Sequence, residues 1–328
     1  MAPISWLYGL GLMIRHQLYD SHLLLTTSPS VLTICVGNLA LGGTGKTPHT
    51  EYLIRLLSAH YHVAVLSRGY GRKTRGFLLA DASSTASQIG DEPMQMHEHF
   101  PEVPIAVCEN RAKGIKRICQ TFPETQIVIL DDAFQHRRIR CTYNILLTEY
   151  SRLYIEDSLL PMGRLRDLPS RALKADMVVV TKCPPTMRPI DRRVISNRMK
   201  LPAFQQLVFS TYQYAELPHE GNPLVVTGIA NPEPLISYVK TLCPDAGHLS
   251  YADHHRFTQR DVDTILREAQ KYDYVLTTEK DKVRFDEIYL SEALGSRICT
   301  MPVNLSVDED FDRILLTLFA EKIRKQKK

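Results

Sequence analysis

The sequence predicts an α/β chain, a mainly parallel sheet followed by a second, smaller α/β lobe. Three observations carry this: apolar, β-branched runs alternate with helical segments, a glycine-rich turn joins the first strand to the first core helix, and the pattern restarts after Pro223. Such alternation covers both faces of a sheet with helices, and ligands then collect at the carboxyl ends of the strands.

At 328 residues with 44% hydrophobic side chains, the chain has enough apolar material for two domains of ordinary size. Its 40 Lys+Arg against 36 Asp+Glu leave a net charge of +4, too mild to imply nucleic acid, and no basic patch carries interleaved aromatics. The seven cysteines are dispersed and form no Cys-x-x-Cys pair, so they read as reduced, cytoplasmic core residues rather than zinc or redox ligands.

The N-terminal segment, 1–28, contains the apolar run Ile4 to Ile14, which stops at Arg15-His16, short of the ~20 residues a spanning helix needs. Helical spacing puts Trp6, Leu10, Met13, Ile14 and Leu18 on one side, with Arg15 at its border. Two readings stand: an anchor lying in a lipid interface, or a terminal helix docked on its own domain.

The core, 29–202, begins with a strand over Thr33–Val36 and a helix over Thr50–Ala59, joined by Val36-Gly37-Asn38-Leu39-Ala40-Leu41-Gly42-Gly43-Thr44-Gly45-Lys46-Thr47-Pro48. Unpaired amides and the positive end of the helix dipole suit phosphate there. Leu41, Gly42, Gly43, Thr44 and Gly45 supply backbone, Lys46 reaches the transferring phosphoryl, and the Thr47 hydroxyl meets Mg²⁺. Ala40 stands where the strict consensus has glycine, so the loop is a variant of the P-loop NTPase type. Strands follow at His62–Ser67, Pro104–Cys108, Gln126–Leu130, Asn144–Thr148 and Met177–Thr181.

The strand at Gln126–Leu130 ends in Asp131-Asp132, carboxylates placed as phosphate-loop enzymes place those that hold Mg²⁺; a plain loop start is the alternative. Asp91, in Gly90-Asp91-Glu92-Pro93, reads equally as a helix cap or as a base accepting a proton from an attacking hydroxyl. Arg164, Arg166 and Asp167 follow a Gly/Pro turn and are either surface charges or groups that neutralise phosphate and help hold the metal. Thr181-Lys182-Cys183-Pro184 stands at a base-contacting position without the Asp that selects guanine, which favours adenine.

Residues 203–217 read as an extended linker and 218–305 as the second lobe, with strands at Leu224–Gly228, His248–Tyr251, Tyr274–Thr278 and Ile298–Val303 and helices at Pro234–Leu242 and Arg260–Lys271. In it Asp253-His254-His255 is either a surface loop or a source of an imidazole that tunes a carboxylate of the first lobe. Residues 306–328 form an amphipathic helix with a basic tail, either a solvated end or a weak patch for acidic membrane.

Gly42-Gly43-Thr44-Gly45-Lys46-Thr47-Pro48, Ser67-Arg68-Gly69-Tyr70-Gly71, Gly90-Asp91-Glu92-Pro93, Asp131-Asp132-Ala133-Phe134-Gln135-His136 and Asp253-His254-His255, in that order, resemble the tetraacyldisaccharide 4'-kinase family of lipid A biosynthesis. The resemblance implies ATP- and Mg²⁺-dependent phosphorylation of the 4'-hydroxyl of a tetraacylated glucosamine disaccharide 1-phosphate, at the cytoplasmic face of the bacterial inner membrane, by two α/β lobes around a cleft. It implies Lys46 and Thr47 on phosphate and metal, Arg166 on the nucleotide, Asp91 as base with His254 as its partner, and Asp131, Asp132 and Asp167 in the magnesium network. No obligate protein partner is implied. The family commonly has Gly at Ala133 and Glu at Asp167, so Asp167 is one methylene short. The competing reading is a phosphate-loop GTPase or ATPase, a switch or metallochaperone acting on a protein partner.

Overall fold

The chain is described by a computed structural model covering residues 2–253 and 255–326. It opens with helix α1 (Ala2–Asp20), followed by β1 (Leu32–Asn38), α2 (Lys46–Ser58), β2 (Val63–Ser67), β3 (Leu78–Leu79), α3 (Ala86–Ile89), α4 (Asp91–His99), β4 (Ile105–Val107), α5 (Arg111–Thr121) and β5 (Ile127–Asp131). The first lobe continues with β6 (Tyr143–Glu149), β7 (Met177–Thr181), α6 (Pro189–Met199) and β8 (Gln206–Tyr214). The second lobe comprises β9 (Pro223–Thr227), α7 (Glu233–Leu242), β10 (Gly247–Ser250), α8 (Gln259–Ala269), β11 (Tyr274–Thr278), α9 (Glu279–Glu287), α10 (Leu290–Leu294) and β12 (Ile298–Met301). The chain then returns through β13 (Val303–Val307) and α11 (Glu309–Gln326).

The main sheet has nine strands in the order β13-β8-β7-β6-β1-β5-β2-β4-β3, parallel except for the edge strands β3 and β13. β1, buried at every position, lies between β5 and β6, with Val36 opposite Asp131. Side chains alternate between two cores: Cys35 and Leu39 face α5 and α6, while Ile34 and Val36 face α2 and α11. The smaller sheet, β10-β9-β11-β12, is wholly parallel and has its own two cores.

One segment differs from the sequence expectation. Residues 203–217 do not form a free linker, because β8 occupies most of that span and pairs with β7 through Met177–Val180. The amphipathic helix read in 306–328 is α11, whose Phe311, Leu315, Phe319 and Ile323 complete the core beneath α2. The second lobe is thus inserted into the first, and two neighbouring antiparallel strands, β8 and β13, bound it.

The N-terminal helix docks on its own domain by one face and leaves apolar side chains exposed on the other. α1 docks through Ser5, Gly9, Leu12, His16 and Tyr19, spaced three and four apart, while Trp6 (65%), Leu7 and Ile14 stay exposed. Among the described residues no helix is long and apolar enough to cross a membrane.

Candidate active site at the phosphate loop

The loop between β1 and α2 turns on Gly42 and Gly45, at φ 108° and 88°, a left-handed backbone that a β-carbon strains. A β-carbon on Gly45 would also stand 2.1 Å from the Tyr212 hydroxyl of β8. Ala40 keeps an ordinary backbone in an antiparallel bridge to Leu165, so its departure from the glycine consensus costs nothing. Leu41 donates its amide to Arg164 O (2.7 Å), and Asn38 Nδ2 donates to Thr44 Oγ1 (2.7 Å), tying the loop to the end of β1.

Behind the loop, His49 is almost wholly buried. Its Nδ1 lies 2.7 Å from Gly45 O and its Nε2 2.9 Å from Ser210 Oγ. A carbonyl only accepts, so Nδ1 carries the proton and Nε2 accepts from the serine. Burial, outweighing the Gly45 bond, pulls this histidine down to about 4, so the ring is neutral.

Asp131 and Asp132 diverge where β5 ends. Asp131 is buried and accepts from Ser67 Oγ (3.1 Å) and Thr50 Oγ1 (3.4 Å). Burial, then the charges of Glu92 and Asp132, push it up to about 7 against the pull of Lys46. Asp132, at φ 45°, turns instead toward Arg166, whose Nη1 donates to its Oδ2 (3.1 Å) and whose Nη2 donates to Asn38 Oδ1 (2.7 Å). Burial opposes its ionisation, yet Lys46 and Arg166 together hold its pKa below the usual range. Lys46 thus acts on both carboxylates.

Asp167 lies against the N-terminal helix. Its side chain, wholly buried, lies 2.6 Å from His16 Nε2 of α1 and also accepts from the Leu168 amide through the same oxygen, so it braces the N-terminal helix. The guanidinium of Arg137 donates to His16 Nδ1 (3.2 Å), which leaves the ring proton on Nε2, facing Asp167. Tyr8 of α1 donates to Arg166 O (2.9 Å) and Arg15 to Gln135 O (3.0 Å), so α1 holds both segments that flank Asp132.

Asp91 is the first residue of α4; the cap position is Gly90, so the capping reading does not hold. Its carboxylate accepts from Arg284 Nε of α9 (2.8 Å), a contact across the two lobes. Lys280 lies 3.6 Å from both Glu92 and Asp253. His254 falls outside the described residues, while His255 faces Asp261 within its own lobe (3.0 Å).

Arg164 is engaged by Glu149 and Asp157, and Lys182 Nζ donates to Glu149 Oε1 (2.6 Å) beside the loop. Sequence reasoning missed the supporting groups Asn38, Thr50, His49, Ser210, Tyr212 and Arg284. It missed too the arginines gathered at His136, which burial and then Arg111, Arg138, Arg68 and Arg15 pull down to about 4. Only Asn38 carried a signal, its place at the mouth of the glycine loop.

The donor set suits magnesium. A hydroxyl opening α2 and a strand-end carboxylate held by two hydroxyls are the few oxygen ligands this ion takes from a protein when phosphates and water supply the rest.

A glycine loop with Gly-Lys-Thr at a helix start, between an acidic strand end and a second lobe, defines the class: a phosphate-loop phosphotransferase. Residues 1–320 match the family model described as tetraacyldisaccharide-1-P 4'-kinase. A tetraacyldisaccharide 4'-kinase of Bacteroides thetaiotaomicron is 44% identical over 335 residues, covering 94% of this chain and 88% of the relative. One of Parabacteroides distasonis is 43% identical, covering 98% and 94%. The crystal structure of LpxK from Aquifex aeolicus in complex with ATP superposes with a TM-score of 0.75 at 25% identity, covering 97% of this chain and 98% of that one. The chain belongs to the tetraacyldisaccharide 4'-kinase family, and this membership gives no support to the switch or metallochaperone reading.

Proposed function

We propose that the chain carries out the reaction for which its family is named: transfer of the γ-phosphoryl group of ATP to the 4'-hydroxyl of a tetraacylated glucosamine disaccharide 1-phosphate, a step of lipid A biosynthesis. The observation that carries this reading is the convergence of a glycine loop, Lys46 at the start of α2, and Asp131 and Asp132 at the end of the neighbouring strand β5, an arrangement suited to phosphoryl transfer.

The glycine-rich backbone from Gly42 to Gly45 cradles the phosphates, with Leu41, held by its amide on Arg164 O, at its edge, and the Lys46 ammonium follows the charge that develops on the transferred group. Asp91 takes the proton from the 4'-hydroxyl as its oxygen attacks phosphorus and ADP departs, with Arg284 fixing the carboxylate and His254 as its further partner. Arg166 holds Asp132 and adds positive charge beside the nucleotide. Thr47 and Asp131, with Asp132, are the residues that would hold Mg²⁺, which when bound neutralises phosphate oxygens.

A substrate with four acyl chains stays in its bilayer. The exposed apolar side of α1, with Leu23 and Leu25 just beyond it and Arg15 on its flank, supports work at the membrane surface, on the cytoplasmic face of the inner membrane. The arginines around His136 give that side of the site a positive field suited to a lipid phosphate. No nucleic acid and no obligate protein partner enters this reading.

The test is mass spectrometry of a tetraacyl disaccharide 1-phosphate incubated with the full chain, ATP and Mg²⁺. Gain of one phosphoryl group at the distal sugar is expected. ATP binding without any phosphorylated glycolipid would overturn the reading.

A further inference from the structure

β8 lies in the span read from the sequence as an extended linker, yet it meets the phosphate loop and the helix behind it at two points. Ser210 and Tyr212, two apart and so on one face of the strand, reach His49 and Gly45 respectively. A neighbouring strand adds a third brace, with Thr181 Oγ1 donating to Thr44 O (3.0 Å).

The imidazole of His49 closes the gap between these elements. Gly45 O accepts the ordinary helical bond from the His49 amide (3.2 Å) and a shorter one from the ring (2.7 Å). That carbonyl belongs to the same planar trans peptide as the Lys46 N–H, and the two point in opposite directions. Fixing the oxygen toward His49 therefore aims the Lys46 amide out of the helix N-terminus, where unpaired donors meet an anion. The other ring nitrogen is fastened to β8, which is paired along Ser210–Tyr214 with β13, the strand by which the chain returns from the second lobe.

We propose that His49 is a positioning residue for the phosphate grip: its ring orients the Gly45–Lys46 peptide and ties the loop, through Ser210, to the strand pair that carries the second lobe. The inference rests on ATP being the loop's ligand, the reading given above.

The experiment measures the Kd of ATP with Mg²⁺, the KM and kcat for ATP, and the melting temperature, on the full chain and on H49A, H49N, H49Q and S210A. The asparagine amide stands where Nδ1 stands and can still donate to Gly45 O, whereas the glutamine amide stands near Nε2 and cannot. The expected result is a rise in Kd and KM of about tenfold for H49A, the worth of one buried hydrogen bond. H49N should stay within about threefold of the parent chain, H49Q should behave like H49A, and S210A should fall between. A merely structural histidine would lower the melting temperature in both amide variants alike and leave Kd unmoved. The proposal is overturned if H49A binds ATP within about twofold of the parent chain, or if H49N is no better than H49Q; should H49A fail to fold, the contrast between H49N and H49Q decides. A parent chain that binds no ATP would instead overturn the proposed function, and this inference with it.

Discussion

Replacing Gly45 by alanine tests the architecture of the loop at its narrowest point. The residue sits at φ 88°, where a β-carbon costs about 1–2 kcal/mol of backbone strain. The added carbon would stand 2.1 Å from the Tyr212 hydroxyl and 3.2 Å from the ring carbon that bears it, so the phenol must move, at a further ~1–3 kcal/mol for overpacking. The sum, about 2–5 kcal/mol, is a large part of the ~5–15 kcal/mol that holds an ordinary domain folded. The two contributions separate in a double-mutant cycle with Tyr212→Phe, which removes the oxygen and leaves the 3.2 Å contact, tight but tolerable. Urea unfolding of the four proteins should show G45A strongly destabilised and the pair Gly45→Ala, Tyr212→Phe recovering about 1–3 kcal/mol, with the strain remaining. Effects that add within about 0.5 kcal/mol would mean that β8 does not press on the loop, and the packing argument would be refuted.

Lys46→Ala should lower kcat by about 10²-fold or more through lost charge stabilisation, and Asp91→Asn should lower it by about 10²–10⁴-fold with ATP affinity retained; turnover at the parent level would reject either role. His136 titrates near 4 in the folded chain against 6.5 for a free imidazole. The unfolded state therefore binds the extra proton first, so this residue's contribution to stability is full above about pH 6.5 and is lost as pH falls toward 4. Melting curves across that window should be flatter for His136→Gln, and an unchanged slope would contradict the burial argument. Changing Trp6, Leu7 and Ile14 to serine together removes side chains worth about 1.5–3 kcal/mol each when buried in lipid. Sedimentation with anionic vesicles should fall severalfold while activity on a detergent-dispersed acceptor persists, and unaltered sedimentation would remove α1 as the membrane contact.

What the sequence made legible was local. The glycine loop, the strand ending in Asp131-Asp132 and the restart of the pattern at Pro223 are short-range signals, and β7 begins and ends where the apolar run Met177–Thr181 does. What it hid was long-range. β8 has a half-exposed pattern that reads as an extended tether until its pairing with β7 and β13 is seen. Asp167 was read as a metal ligand from its place after a Gly/Pro turn and from the family's Glu at that position, and nothing local announces that its side chain meets His16, 151 residues earlier. His49 lay inside an ordinary helical period, and nothing in that period announces a partner on a strand 161 residues away. The pairing of Asp91 with Arg284 was likewise out of reach, since it spans 193 residues and both lobes.

The return of the chain through β13 and α11 has a consequence for how the molecule comes into being. Growing chains commonly acquire structure from the amino end onward. Here the domain that starts first must wait, since Phe311, Leu315 and Phe319, which fill its interior, follow the whole inserted domain in the chain. The inserted domain is complete by Met301 and can assemble while its host is still open, so the ribosome delivers the guest before the house is finished.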